Sequence, residues 1–480
     1  MQKTRFIITL LIAFALVMSS VTTAKASGPT GSWISGIACQ NLDSANQAIV
    51  TLTFYREGSS TEAIHYDSFI DIGASKNWLT TSTTAMPGFP TNFIGSGVIS
   101  SSTALACNVN TQSTGVGTTT SPYRLGTNAG FNDVQVAPTM YVPQVLKAIA
   151  GWNSYMAVQN TANAAVTVNV AYFNADGSTV AAAGESTVIP AQSTKVFYQE
   201  DNAGLPVGFN GGAKVSAVDG TSGLAVGVAL YQSGTDYTKA QFLSYNGFGG
   251  GADKVFGPRV VKNVAGNNTG IAVQNVGTAP VAVTMTFSFP GLATPIVMTQ
   301  TVNVNASWVS KVTLPVFAPV ALLTDRQGSV VIEAPGGSIV ANINEDNQDP
   351  ASGARMGQGS TYNAVLSGQE STTVFFSQFV KGAAGFYSGF QVSNTTGTAG
   401  TCDIEYTAQP AINENDVALA ANGTILRYSG SRLQTSMLNM VLGYNAAVKV
   451  TCTVPVTGIV NMSVPNKYGD SFTQTTGLNQ

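Results

Sequence analysis

Apolar residues fall on every second position in four separate stretches of the chain: Val50, Leu52, Phe54; Val166, Val168, Val170, Tyr172; Val281, Val283, Met285, Phe287; and Cys402, Ile404, Tyr406. Such alternation gives a β-strand one face on a core and one toward water. A shared motif precedes each stretch. It reads Ser35-Gly36-Ile37-Ala38-Cys39-Gln40-Asn41, Ser154-Tyr155-Met156-Ala157-Val158-Gln159-Asn160, Thr269-Gly270-Ile271-Ala272-Val273-Gln274-Asn275 and Ser388-Gly389-Phe390-Gln391-Val392-Ser393-Asn394. The closing asparagines lie 119, 115 and 119 residues apart (160−41, 275−160, 394−275). Solenoid repeats run to ~20–50 residues, so this period implies whole domains in tandem.

Turn chemistry follows the alternating strands at Asn174-Ala175-Asp176-Gly177 and Pro290-Gly291, where the chain reverses. Late in each unit two more strands recur, as Lys214–Ala217 with Leu224–Val228 and as Lys449–Cys452 with Ile459–Met462. Helical periodicity is nearly absent, with Arg432 to Val441 the one candidate. A connecting strand opens three of the units: Tyr141–Lys147, Phe256–Lys262 and Phe375–Lys381. Each ends on a lysine 13 residues before its unit's asparagine (160−147, 275−262, 394−381). Proline in two of them suits a sheet edge.

Unit one departs from this plan. Thirteen residues before Asn41 stands Gly28, and the residues ahead of it belong to a segment read below as a signal peptide. A sandwich lacking its first strand has an open edge, and open edges bind other strands unless they are blocked. Either Pro29 and Gly31 blunt that edge, or a strand from another subunit fills it in head-to-tail assembly. Within this chain the only spare donor would be the tail, Ser471 to Asn479.

The Gly-Ile-Ala-Val-Gln-Asn strand, the alternating Val-Thr-Val strand and the later Lys-Val and Leu-Ala-Val pair resemble the tandem immunoglobulin-like repeats of bacterial secreted cell-surface, adhesin and sheath proteins. The resemblance runs from about Trp33 to Asn479. Seven or so short strands per ~110 residues also fit an immunoglobulin-like sandwich. The expected fold is all-β: four tandem immunoglobulin-like β-sandwich domains joined by short connecting strands, over 27–139, 140–253, 254–372 and 373–480. The modules are expected to lie along a line. Such modules serve as spacers, adhesins and filament subunits, so fold alone does not select a function.

Charged residues make up only 9% of the chain, against roughly 25% in ordinary soluble domains. The surface must therefore be covered by uncharged polar groups, and copies repel one another weakly. A net charge of −3 offers no electrostatic case for nucleic acid. Residues 1–26 read as a signal peptide, with Lys3 and Arg5, the apolar run Phe6 to Met18, and Ala24-Lys25-Ala26 as the cleavage pattern. That places the mature chain, starting near Ser27, outside the cell without membrane insertion. Four cysteines in an exported chain point to disulfides. Cys39 and Cys107 fall in unit one and Cys402 and Cys452 in unit four. Of three pairings, pairing within each unit is the simplest, worth ~4 kcal/mol per bridge in the chain-entropy model.

Catalytic signals are scarce. The lone histidine, His65, sits on a strand-like stretch, and no nucleophile elbow, zinc pair or phosphate loop occurs. Asn344 to Asp349 is the densest oxygen cluster, which makes Glu345, Asp346 and Asp349 the candidate ligands for calcium, the one candidate cofactor. Trp33, Trp152 and Phe386 each stand eight residues before an asparagine. Exposed, they would stack on sugar rings; buried, they would pack where the strand enters its domain. These observations favour a secreted, non-enzymatic structural or adhesive protein of the bacterial cell surface that assembles with copies of itself. The alternative is a module that recognises surface glycans through its aromatics.

Overall fold

A computed structural model describes residues 28–479; the signal peptide read over residues 1–26 lies outside the described residues. Unit one contributes β1 (Trp33–Asn41), β2 (Ala48–Arg56), β3 (Glu62–Ile70), β4 (Ser75–Leu79), β5 (Gly95–Ser101), β6 (Leu105–Ser113) and β7 (Leu125–Ala129). Unit two contributes β8 (Thr139–Lys147), β9 (Trp152–Asn160), β10 (Val166–Phe173), β11 (Glu185–Ile189), β12 (Thr194–Tyr198), β13 (Phe209–Ala217), β14 (Leu224–Gln232) and β15 (Phe242–Asn246). Unit three holds β16 (Lys254–Val264), β17 (Asn267–Asn275), β18 (Val281–Ser288), β19 (Ile296–Val302), β20 (Ser307–Lys311), β21 (Gln327–Glu333), β22 (Ile339–Asn347), β23 (Gly359–Asn363) and β24 (Val365–Leu366). Unit four holds β25 (Ser371–Lys381), β26 (Tyr387–Asn394), β27 (Gly400–Tyr406), β28 (Glu414–Leu419), β29 (Thr424–Tyr428), α1 (Thr435–Asn439), β30 (Tyr444–Ser463), β31 (Phe472–Thr476) and β32 (Leu478–Asn479).

The chain is all-β, built from antiparallel sheets stacked as sandwiches. In unit two the sheets run β11-β10-β13-β8 and β12-β9-β14-β15. The alternating residues Val166, Val168, Val170 and Tyr172 meet Met156, Val158, Val226 and Val228 between them. Unit three repeats the pattern as β19-β18-β21-β16 and β20-β17-β22-β23. In unit four the 20-residue β30 runs through both sheets, pairing β25 and β27 with its first half and β26 and β31 with its second. Unit one has β4-β1-β6-β7 but only β3-β2-β5 opposite it. No opening strand lies beside β5 among the described residues.

The repeated asparagine earns its place by stitching the two sheets together. Asn160 is buried, its Nδ2 donating to Ala164 O (2.7 Å), Ile189 O (3.1 Å) and Pro190 O (3.1 Å), while its Oδ1 accepts from the Ala162 amide (2.9 Å). Asn41 makes the corresponding set to Asn46 O, Ile70 O and Asp71 O, while Asn275 and Asn394 each keep the near-loop carbonyl and one across the sandwich, Val302 O and Ala420 O; in all three Oδ1 accepts from the amide two residues on. Losing such a set inside a sandwich strands buried polar groups, at about 1–3 kcal/mol for an unsatisfied one. Asn160→Ala is therefore expected to lower stability by about 2 kcal/mol, read as an earlier denaturant midpoint at unchanged slope.

Two further repeat positions secure the opening strands. Ser154 Oγ accepts from the Leu146 amide (2.8 Å), Thr269 Oγ1 from Val261 (2.8 Å) and Ser388 Oγ from Val380 (3.0 Å). The spaced lysines cap carbonyls of loops and of the end of α1: Lys147 on Asn202 (2.6 Å), Lys262 on Val312 (2.9 Å) and Lys381 on Met437 (2.5 Å) and Met440 (2.7 Å).

The expected line of modules is replaced by a ring. The closing strands pack in cyclic order, β7 on β15, β15 on β23, β23 on β31 and β31 back on β7. Asn128 Nδ2 donates to Asn246 Oδ1 (3.0 Å), the Asn246 amide to Asn363 Oδ1 (2.9 Å) and Thr476 Oγ1 to Asn363 O (3.0 Å). The fourth side closes through backbone, Tyr123 N to Tyr468 O (2.9 Å) and Asp470 N to Tyr123 O (2.7 Å). This also corrects the expectation of a spare tail. Ser471–Asn479 is already spent, β31 on β30 at the ring axis and β32 on β25.

Candidate functional site

The chemistry-bearing side chains concentrate where units meet. Each opening strand carries a bulge at one place, four and three residues before its lysine: Pro143-Gln144, Pro258-Arg259 and Ser377-Gln378. A bulge pushes residues out of the ladder, and here they dock on the next unit. Gln144 Oε1 accepts from Asn344 Nδ2 (2.8 Å), and Pro143 O from Ser307 Oγ (3.0 Å). Pro258 O accepts from Gln391 Nε2 and from Ser393 Oγ (2.9 Å). Ser377 Oγ donates to Asn108 Oδ1 (3.0 Å), and Gln378 Oε1 accepts from Asn110 Nδ2 (2.9 Å). Unit two thus leans on three, three on four, and four on one.

The fourth joint is different, because no such strand of unit one lies among the described residues. There the hairpin after β2 lies on β12. The Gly58 amide donates to Thr194 O (3.1 Å), Ser193 Oγ to Arg56 O (3.0 Å), and Lys195 pairs with Glu57 (3.1 Å).

Two buried clusters of ionisable side chains reinforce the ring. Arg259 and Glu345 form an ion pair (2.7 Å) with side chains 7% and 0% exposed. Gln327 accepts from the guanidinium, and Gln474 of unit four donates to the carboxylate (2.9 Å). At the axis Asp470 is fully buried, accepting from the amides of Phe242 (2.8 Å, unit two) and Gly359 (2.8 Å, unit three), near Arg124 of unit one. Burial pushes its pKa well above the ordinary carboxylate range, against the opposing pull of the amides and Arg124.

In unit four Glu414 accepts from Arg427 (2.5 Å), Tyr406 (2.9 Å) and Ser436 (2.6 Å), lining a cleft with Asn413, Gln434 and Thr435. Burial works to raise the Glu414 pKa, but these partners outweigh it and hold the carboxyl below its usual value. Such a group braces β28 against β29 and α1.

The residues singled out from sequence fall at several places. Cys39–Cys107 joins β1 to β6, and Cys402–Cys452 joins β27 to β30. Trp33 is half-buried on Phe242 (ring centroids 4.7 Å) with Nε1 donating to Pro29 O (3.2 Å). Trp152 is half-buried against the unit-two core, and Phe386 is half-buried ahead of β26. Glu345 is taken by Arg259 and Asp346 follows it on the opposite face of β22, its pKa raised by burial. Asp349 caps a 3-10 turn through the Ala351 amide (2.9 Å). No group of three or more His, Cys, Asp or Glu able to hold a metal occurs among the described residues. His65 is exposed and pairs with Glu62 at 2.5 Å. The docking bulges and Asp470 were not picked out from sequence; the fixed offset from each lysine was the available signal for the bulges.

No family of known proteins and no curated protein matches the chain. Among solved structures it is similar to Thermotoga maritima 1070, at 16% identity over 24% of this chain and 95% of that one, with a TM-score of 0.20. It is also weakly similar to the major pilin of Streptococcus pyogenes, at 7% identity over 93% of this chain and 97% of that chain, with a TM-score of 0.15.

Proposed function

We propose that this chain is a secreted, non-enzymatic structural protein of the bacterial cell surface, made of four immunoglobulin-like sandwiches and packing laterally with copies of itself. The observation that carries the reading is how the buried and half-buried ionisable groups are used. Arg259 with Glu345, Glu414 with Arg427, and Asp470 are each bound to neighbouring strands or units. Their chemistry is spent on holding shape. Two disulfides in a chain of low charge suit an oxidising exterior.

The surface supplies a contact for copies. Leu433 is 94% exposed and Leu442 75%, with Leu438 and Val441 also exposed in the same ten-residue stretch of unit four. Clustered exposed apolar side chains mark interaction surfaces. Protease shaving of intact cells should release peptides of this chain; their absence while cytoplasmic controls stay intact would count against surface exposure. Sedimentation of the purified chain should show assembly that Leu433→Ser with Leu442→Ser weakens at least tenfold. A monomer at every concentration would remove the self-packing claim.

A further inference from the structure

Eight edge strands end the sheets, two to a unit: β3 and β4, β11 and β12, β19 and β20, β28 and β29. An edge strand presents unpaired backbone groups, and folded proteins keep such edges apart with charged side chains, prolines and bulges. Seven of the eight carry charge: Asp67 on β3, Lys76 on β4, Glu185 on β11, Lys195 on β12, Lys311 on β20, Glu414 on β28 and Arg427 on β29. The ladders that hold β3 and β28 are also broken by register shifts.

The exception is β19, Ile296-Val297-Met298-Thr299-Gln300-Thr301-Val302. It has no charge, no proline and no glycine, a composition prone to strand pairing, and its ladder with β18 runs through all seven residues without a shift. The neutrality reaches beyond the strand, since no Asp, Glu, Lys or Arg stands between Lys262 and Lys311. Val297, Thr299, Gln300 and Thr301 are exposed, and among the described residues backbone-to-backbone hydrogen bonds reach β19 from β18 alone.

We infer that β19 pairs antiparallel with β19 of a second copy of the chain, about a two-fold axis at Thr299. Charge selects this occupant. In a contact about a two-fold axis each patch meets itself, so a charge near the axis opposes its like, and like charges directly opposite across strands are destabilising. Of the eight edges, β19 alone has no residue that would repel its own copy.

The strand also fits itself in register. About Thr299 the pairs are Ile296 with Val302, Val297 with Thr301, Met298 with Gln300, and Thr299 with its own copy, so all seven residues are used and each pair lies on one face. Ile296 and Val302 are buried in the unit-three core and Met298 packs against it. The core-facing row therefore continues into the second copy, whereas a slip of one residue would set it against the exposed row. On the outer face Thr299 Oγ1 lies 3.0 Å from Thr284 Oγ1, and the pairing extends this contact into a row of four threonine hydroxyls. Being two-fold, the contact closes on itself and makes pairs. It rests on the reading that copies of the chain meet, but on a different surface from the leucine patch of unit four.

Thr299 is exposed, so changes there spare the core. In the purified chain Thr299→Lys and Thr299→Glu should each weaken pairing at least tenfold by sedimentation, and an equal mixture of the two should restore it. In the background of Leu433→Ser with Leu442→Ser, Thr299→Cys should still crosslink to its own copy on mild oxidation, whereas Val297→Cys, which falls opposite Thr301, should not. These results are expected whether or not the leucine patch contributes, so failure of either contact is read separately. Unchanged association of Thr299→Lys, or a mixture as weak as its components, would overturn the pairing. Equal crosslinking at both cysteine positions would mean strand association without register and overturn it as well.

Discussion

Replacing Arg259 with alanine should destabilise the fold by about 3–5 kcal/mol, because it leaves a carboxylate buried without its counter-charge. Glu345 is 0% exposed, and besides Arg259 its side-chain partner is Gln474, whose neutral amide cannot replace a guanidinium. The effect should cross a unit boundary, since the neighbouring Pro258 carbonyl accepts from Gln391 and Ser393. Exchange should accelerate in β26 as well as in β16 and β22. The paired change Arg259→Met with Glu345→Leu removes both charges and keeps apolar volume, so it should recover most of the loss. Urea unfolding measures all three proteins. A single variant within about 1 kcal/mol of the parent would show that water or a rearranged partner already compensates the pair.

That ion pair also marks where reading the sequence stops. Strand positions follow from apolar side chains at period two, and Val166 to Tyr172 behave as the alternation implies. The asparagines and lysines were visible as fixed spacings; their roles as sheet stitches and loop caps needed coordinates, because each bonds carbonyls up to about thirty residues or more away in the chain. The ring was hidden for another reason. Its joints are made by Gln144, Asn344, Gln378 and Asn108, polar residues that a period-two reading assigns to solvent. The closing strands are five residues long and mix Thr, Ser and Asn with few apolar positions, as in Leu125–Ala129 and Phe472–Thr476. Low charge was the global hint: a surface of amides and hydroxyls can be buried against its own kind by hydrogen bonds, whereas a charged one would resist.

Asp470 concentrates that principle at one carboxyl, and removing it should open the ring at its axis. Asp470→Ala strands the amides of Phe242 and Gly359, buried donors from two units, at about 1–3 kcal/mol each. The expected loss is about 4 kcal/mol, with faster exchange in β15 and β23 together. The pH dependence separates this role from simple packing. Because burial raises its folded pKa above the unfolded value, the native state holds this proton more tightly, so stability falls as pH rises from about 4 through the raised value. Asp470→Asn cannot titrate and lacks that slope, while its amide group still orphans one backbone donor. The parent should therefore exceed Asp470→Asn in stability most at low pH, and its advantage should shrink toward neutrality. An advantage that instead grows with pH would mean that Arg124 and the backbone amides prevail over burial, and that the ring is centred on a true carboxylate.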